Sequence, residues 1–357
     1  MKIAVTLIGI RDTNFSGIGR FIWKWLEGEI HAHPEHQFVL LSDTAQPTSF
    51  VGAPNCSWIK TKYDRSSFVA EKIWYEVTAP KLLKPLQPAL WLQLSGRYAV
   101  RTSIPQICLF EGNLTKFQGY FFKKSIQHVK QWLVVTREAA HQLEEEFGIQ
   151  KNNITSIAIA PSTEIYPIDY NLQQMYKGTH AGGTEYFLSV ASDHTSSIEL
   201  LQAFSLFKKW QQSNMKLLLV PSNGLQRSFL EEKLRNYKYR ADVVVVPAGL
   251  TVHNWYQILS SAYAAILLKD GAASYLMALE AAKAEVSIIA SDAFATSMHM
   301  QDMVTRYPES TPTGIAEALL LVYKNEKLKG ERTQNGLLFL QNINLIQSLS
   351  LFRERLA

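Results

Sequence analysis

"DGAASYLMALEAAKAEVSIIASD" (residues 270–292) reads as a strand end, a tight turn, a helix and the next strand. Working outward from it, the same alternation recurs in both directions. Strands are expected at 185–191 (EYFLSVA), 216–221 (KLLLVP), 242–246 (DVVVV), 263–268 (YAAILL) and 286–291 (VSIIAS). Helices are expected at 196–211, 225–237, 251–261 and 274–284, with more helix from 313 onward. In the first half, strands are expected at 2–9 (KIAVTLIG), 37–42 (QFVLLS), 56–61, 89–94 (ALWLQL), 106–110 (QICLF) and 131–136 (QWLVVT). Helices at 17–31, 68–84, 115–129 and 137–147 separate them. Short, nearly continuous apolar strands imply sheets covered on both faces, hence parallel βαβ units. The stretch 162–184 has no sustained periodicity and ends in Gly182-Gly183, so it reads as an interdomain connection.

A chain of 357 residues exceeds the usual limit for one core. The expected organisation is an N-terminal Rossmann-like domain at 1–165, a linker at 166–184, a second Rossmann-like domain at 185–335 and a C-terminal helix at 336–357. Ligands of such folds bind outside the carboxyl ends of the strands, here in a cleft between domains. The 47% hydrophobic and 19% charged fractions are those of an ordinary globular protein, and no apolar run is long enough to cross a bilayer. The opening "IAVTLIGI" lacks a small-residue cleavage site and is expected to be a buried first strand. Two cysteines, Cys56 and Cys108, make no disulfide framework and fit a reduced, cytoplasmic setting. The net charge of +5 is spread along the chain, and no recognition-helix, RNP-type or finger pattern points to nucleic acid.

Three strand-to-helix turns could carry chemistry. In "RDTNFSGIGRF", Gly17 and Gly19 allow backbone to approach a ligand at a helix N-terminus, although a ligand-free turn explains them equally. In "SVASDHTSSIELLQAF", Ser192, Thr195, Ser196 and Ser197 can cap the helix, with Glu199 in capping-box position to Ser196. A diphosphate site would want Arg or Lys there, and Asp193 would repel phosphate. In the opening stretch, Glu280 lies inside an apolar helix and needs a hydrogen-bonding partner if buried. A ribose diol is one such partner; an exposed helix face is the alternative.

Two further features are weaker. Residues 114–130 (LTKFQGYFFKKSIQHVK) combine aromatic and lysine side chains, which suits either a core-packed helix or contact with an anionic membrane. "HAHPEHQF" gathers His31, His33 and His36 around a proline turn, which breaks helical pairing, and reads as a surface cluster without metal.

With these turns located, the chain resembles family 4 of the nucleotide-sugar glycosyltransferases over nearly its whole length. The resemblance is carried by "MKIAVTLIGIRDTNFSGIGRFIWKWLEGEIHAHPEHQFVLLSD", "TSIPQICLFEGN", "EYFLSVASDHTSSIELLQAFSLFKKWQQSNMKLLLV" and "ALEAAKAEVSIIASD". It implies the GT-B fold, two Rossmann-like doubly wound α/β domains facing a cleft. It also implies a retaining sugar transfer from a nucleotide sugar to a glycan or lipid-linked acceptor in surface polysaccharide assembly, with no metal or other cofactor. The departures fall on functional positions. Ser196 and Ser197 stand where the family carries an Arg and a Lys for the donor diphosphate. The family's glutamate pair becomes Ala272 and Glu280, and its Gly-Phe-Gly becomes Ala273, Ser274 and Tyr275. Its His-Asp after "QICLF" becomes Glu111 and Gly112.

By the resemblance, Glu280 would hold the donor ribose, and backbone N–H groups near Gly17 to Gly19 and Ser274 to Leu276 would contact phosphate or sugar. Glu111 would face the acceptor. Asp270 could replace the missing first carboxylate, but a shift of two positions moves a side chain by roughly 6 Å. Loss of the cations that stabilise the leaving diphosphate implies weakened or lost transfer. A non-catalytic scaffold, partnering an active glycosyltransferase or lying peripherally on the membrane, is the alternative.

Overall fold

A computed structural model describes residues 1–10, 17–44, 53–62, 68–96, 98–112, 122–123, 126–157, 159–222 and 224–342. Contacts divide these into two compact units, one of residues 1–10 and 22–157, the other of residues 17–21 and 159–342.

The first unit contains β1 (Lys2–Thr6), β2 (Gln37–Ser42), β3 (Cys56–Lys60), β4 (Leu90–Gln93), β5 (Gln106–Phe110), β6 (Val129–Val134) and β7 (Ile154–Ser156). They form one parallel sheet in the order β3-β2-β1-β4-β5-β6-β7. All residues of β4 and β5 are buried, as a sheet covered on both faces requires. Its helices are α1 (Gly19–Ala32), whose first three residues group with the second unit, then α2 (Phe68–Ile73), α3 (Ala79–Leu83) and α4 (Arg137–Glu145). The expected helix 68–84 is interrupted by a π turn, Trp74–Thr78, in which the Ala79 N–H donates to the Trp74 carbonyl. Pro80 explains it: with no N–H it cannot continue the ordinary ladder, and the wider turn absorbs the break. Most of the expected helix 115–129 lies outside the described residues; its end is a 3₁₀ turn at Ile126–His128 leading into β6.

In the second unit, β8 (Tyr186–Ala191), β9 (Lys216–Pro221), β10 (Val243–Val245), β11 (Ala264–Ile266), β12 (Ser287–Ser291) and β13 (Val304–Tyr307) form a parallel sheet ordered β10-β9-β8-β11-β12-β13. Its helices are α5 (Tyr170–Ala181), α6 (His194–Gln211), α7 (Gly224–Leu234), α8 (Val252–Ser260), α9 (Ala272–Lys283), α10 (Asp292–Ser297), α11 (Pro312–Lys324) and α12 (Glu326–Asn342). The core gathers Phe187, Phe204, Phe207, Leu217 and Ile289 between sheet and helices. Helix α5 occupies the stretch expected to be a connection. Asp169 caps its start by accepting from the Leu172 N–H at 2.9 Å, and Gly182 stops it at φ +64°. Tyr170 and Met175 of this helix stay exposed, which is why no apolar period announces it. Strands β7 and β13 and helix α10 are also additions, each too short to register as a pattern.

Candidate functional site

A doubly wound sheet opens a crevice where its strand order reverses. In the second unit that point lies between β8 and β11. A cavity of about 170 Å³ sits there, lined by Val190 of β8 and Ser192 after it, Lys269 and Asp270 after β11, and Ser274 and Met277 of α9. This is smaller than the roughly 300 Å³ at which small-molecule pockets begin.

The turn from β8 to α6 is capped by the protein's own carboxylate. Asp193, rather than a serine, is the N-cap: it accepts from the Ser196 N–H at 3.0 Å and the Ser196 hydroxyl at 2.6 Å. The carboxylate wins because it accepts both bonds at once and carries the charge that the helix N-terminus favours. The Ser197 hydroxyl donates to the Asp193 carbonyl at 2.5 Å and accepts from Gln226 at 2.8 Å. Ser192 is exposed and lines the cavity. Lys269, far away in sequence, places its Nζ 3.2 Å from the Asp193 carboxylate. Burial alone would raise Asp193, but hydrogen bonds from Ser196 and the Lys269 charge outweigh it and hold the carboxyl below its ordinary value.

The turn from β11 to α9 is different. Gly271 precedes the helix at φ +118°, ψ +176°, and no side chain caps it. The first amide closed at this end is Tyr275, which donates to the Gly271 carbonyl at 3.0 Å. The open donors are therefore the amides of Ala272, Ala273 and Ser274. This corrects the expected Ser274 to Leu276, because the helix begins two residues earlier than 274. Leu276 is in the core and Tyr275 is not among the cavity's lining residues. Asp270 lies at the cavity edge, where the Ser291 hydroxyl donates to it at 3.3 Å. Burial pushes its carboxyl above the ordinary value, and that hydrogen bond offsets only part of the rise.

Glu280 is 1% exposed, which removes the exposed-face alternative. Its partners are protein groups. Arg20 donates through Nη2 to Oε2 at 2.8 Å and through Nε to Oε1 at 3.4 Å, and the Trp255 indole N–H donates to Oε2 at 3.1 Å. The Arg20 guanidinium also lies 5.2 Å from the Trp255 ring centroid. Burial pushes the neighbouring Tyr256 hydroxyl up to about 12, so it remains protonated at neutral pH. Gly19 is the first residue of α1 and buried; Gly17 is half-buried just ahead of it.

In the first unit, Glu111 is exposed immediately after β5 and is followed by Gly112 at φ +82°. The aromatic and basic stretch 114–130 falls largely outside the described residues. The surface-cluster reading fails for His33, which is 6% exposed. It packs at the end of α1 against Glu29, four residues earlier, a pairing that lies ahead of the Pro34 turn and that the turn therefore does not break. Sequence reasoning also missed Arg20, Trp255 and Lys269. Arg20 directly follows the Gly-x-Gly of the first turn, the one local signal that could have marked it.

No family model matches the sequence, and no curated protein matches it. Solved structures do resemble it in shape. HepE of Anabaena, in complex with UDP and glucose, aligns with TM-score 0.72 at 8% identity over 100% of this chain and 99% of that one. WaaG, a glycosyltransferase involved in lipopolysaccharide biosynthesis, aligns at 0.71 and 12% identity over 96% of each chain. A UDP-N-acetylglucosamine 2-epimerase aligns at 0.58 and 10% identity over 94% of this chain and 90% of that one. At such identities the likeness speaks for fold alone, and one fold hosts more than one chemistry. The two parallel α/β sheets are those of the GT-B fold.

Proposed function

We propose that this chain is a glycosyltransferase-like protein whose donor site has closed, leaving sugar transfer weakened or lost. The observation that carries this reading is the state of Glu280. The one carboxylate retained from the resemblance is buried and already holds Arg20 and Trp255. With Glu280 1% exposed and turned to Arg20 and Trp255, a ribose diol would reach it only by opening that buried contact. The β8–α6 turn, capped by its own Asp193 carboxylate, and the small volume of the cavity support the same reading. The UDP-bound HepE and the lipopolysaccharide enzyme WaaG support a nucleotide sugar as the ancestral ligand and surface-glycan assembly as the setting. A chain in this state serves as a binding or scaffold partner of an active transferase.

Thermal unfolding with UDP, GDP and their sugar conjugates at millimolar concentration tests this. The expected result is an unchanged Tm; a rise of several degrees overturns the closed-site reading.

One observation favours a second reading, in which donor binding survives in altered form. Lys269 brings a cation to the crevice from a different turn, half exposed and paired with Asp193. Under this reading Asp193→Asn frees Lys269 and creates or tightens nucleotide binding, which Lys269→Ala then removes.

A further inference from the structure

We propose that His33, Glu35 and His36 form a binding site for a first-row divalent cation of the Zn²⁺ class, in the connection between α1 and β2. The connection is tightly folded: the His33 N–H donates to the Glu29 carbonyl at 3.1 Å, extending α1, and the His36 N–H donates to the His33 carbonyl at 3.1 Å. These turns bring three ligand groups together, with one atom from each of His33, Glu35 and His36 within 4.8 Å of the others. The Glu35 Oε1 lies 3.0 Å from the His33 Nδ1 and 3.7 Å from the His36 Nδ1. Two ligands about 2.0 Å from a tetrahedral Zn²⁺ lie about 3.3 Å from each other, so the two Glu35 spacings bracket what an ion needs, and His36 must reorient to complete the set.

A second observation is the buried carboxylate behind His33. Glu29 is 0% exposed, and its Oε2 lies 3.6 Å from the His33 Nε2, on the far side of the ring from Glu35. At 3.6 Å this is an ion-pair contact rather than a hydrogen bond; a small approach on metal binding lets Glu29 accept the Nε2 proton and leaves Nδ1 as the ligand. Two imidazoles and a carboxylate are the donor set of borderline ions, and hard cations such as Mg²⁺ prefer all-oxygen sites. The Glu35 side chain is 58% exposed, which gives an ion its entry path and water the remaining position. His36 must turn out of its parallel stack on His33, where the ring centroids are 5.5 Å apart. The bound ion would clamp the end of α1 to the start of β2. None of these residues lines the crevice of the second unit, so this site is independent of the donor reading.

The test uses the full chain with any affinity tag removed and chelator treatment before titration. Zn²⁺ is added with calorimetric and thermal-unfolding readouts, and Mg²⁺ serves as control. Expected are one saturable Zn²⁺ site per chain and a Tm rise of several degrees at about 100 times the dissociation constant. Affinity should fall at least about tenfold in His36→Ala and in Glu35→Gln, both at partly exposed positions that leave the fold intact. Glu29→Gln should weaken binding by about 10–100-fold without removing a ligand. Absence of saturable Zn²⁺ binding overturns the proposal, as does equal affinity in wild type, His36→Ala and Glu35→Gln.

Discussion

The two strand-to-helix turns that border the second unit's crevice treat the same open amides in opposite ways. At the start of α6, Asp193 takes up the Ser196 amide and hydroxyl, and Gln226 and Ser197 complete the closure. At the start of α9, Gly271 supplies no side chain, and the amides of Ala272, Ala273 and Ser274 have no partner within the helix. One turn has spent its anion-binding capacity on its own carboxylate, and the other has kept it. Behind the second turn, however, Glu280 is locked to Arg20 and Trp255.

The largest effect should come from breaking that lock. Glu280→Ala leaves a buried guanidinium beside Trp255 and should cost about 3–5 kcal/mol in urea-induced unfolding. The double replacement Arg20→Met with Glu280→Leu should recover most of that loss, because an apolar pair of similar volume avoids desolvating two charges. A cost below about 1 kcal/mol for Glu280→Ala would show that the pair is solvated.

Next, Gly271→Ala forces a Cβ into a backbone region that is essentially restricted to glycine, at φ +118°, ψ +176°. It should cost about 1–3 kcal/mol, whereas Asp193→Ala at the other turn should cost about 1 kcal/mol, the usual loss of a helix cap. Reversal of that order would mean that α9 tolerates a different start. Asp193→Ser, which keeps an acceptor, should recover part of the cap.

The smallest effect is a contrast in pH dependence. Asp193 is held below its ordinary value of 3.8, so its contribution is present above that pH and is lost as pH falls through the lower folded value. Asp270 is raised above 3.8, so the folded state binds the extra proton and stability falls as pH rises through the raised value. Asp193→Asn should therefore flatten the acid limb of the stability curve, and Asp270→Asn should slightly stabilise the protein at neutral pH. Equal responses to the two substitutions would erase the distinction between the turns.

Most of the sheet was legible because its strands are apolar runs between turn residues, and "EYFLSVA" or "QICLF" has no other stable fate than burial on both faces. Helix α5 was not legible, since an exposed Tyr170 and Met175 blur its period while Asp169 and Gly182 define its ends. At the site, the turns and Glu280 could be read along the chain, but the partners of Glu280 could not. Arg20 is 260 positions away in sequence and Trp255 is 25, so no local pattern links them. Lys269 likewise reaches Asp193 only because β8 and β11, distant in the chain, lie side by side and parallel, with their carboxyl ends at one edge.

The sequence by itself determined two doubly wound α/β units and the location of the crevice-forming turns, because hydrophobic period and turn chemistry act between near neighbours. The tertiary structure alone decided that Glu280 is occupied, that Lys269 stands at the crevice, and that Glu29 backs His33. Each is a matter of which charges share a low-dielectric neighbourhood. That depends on distances in space, which the order of residues along the chain does not record.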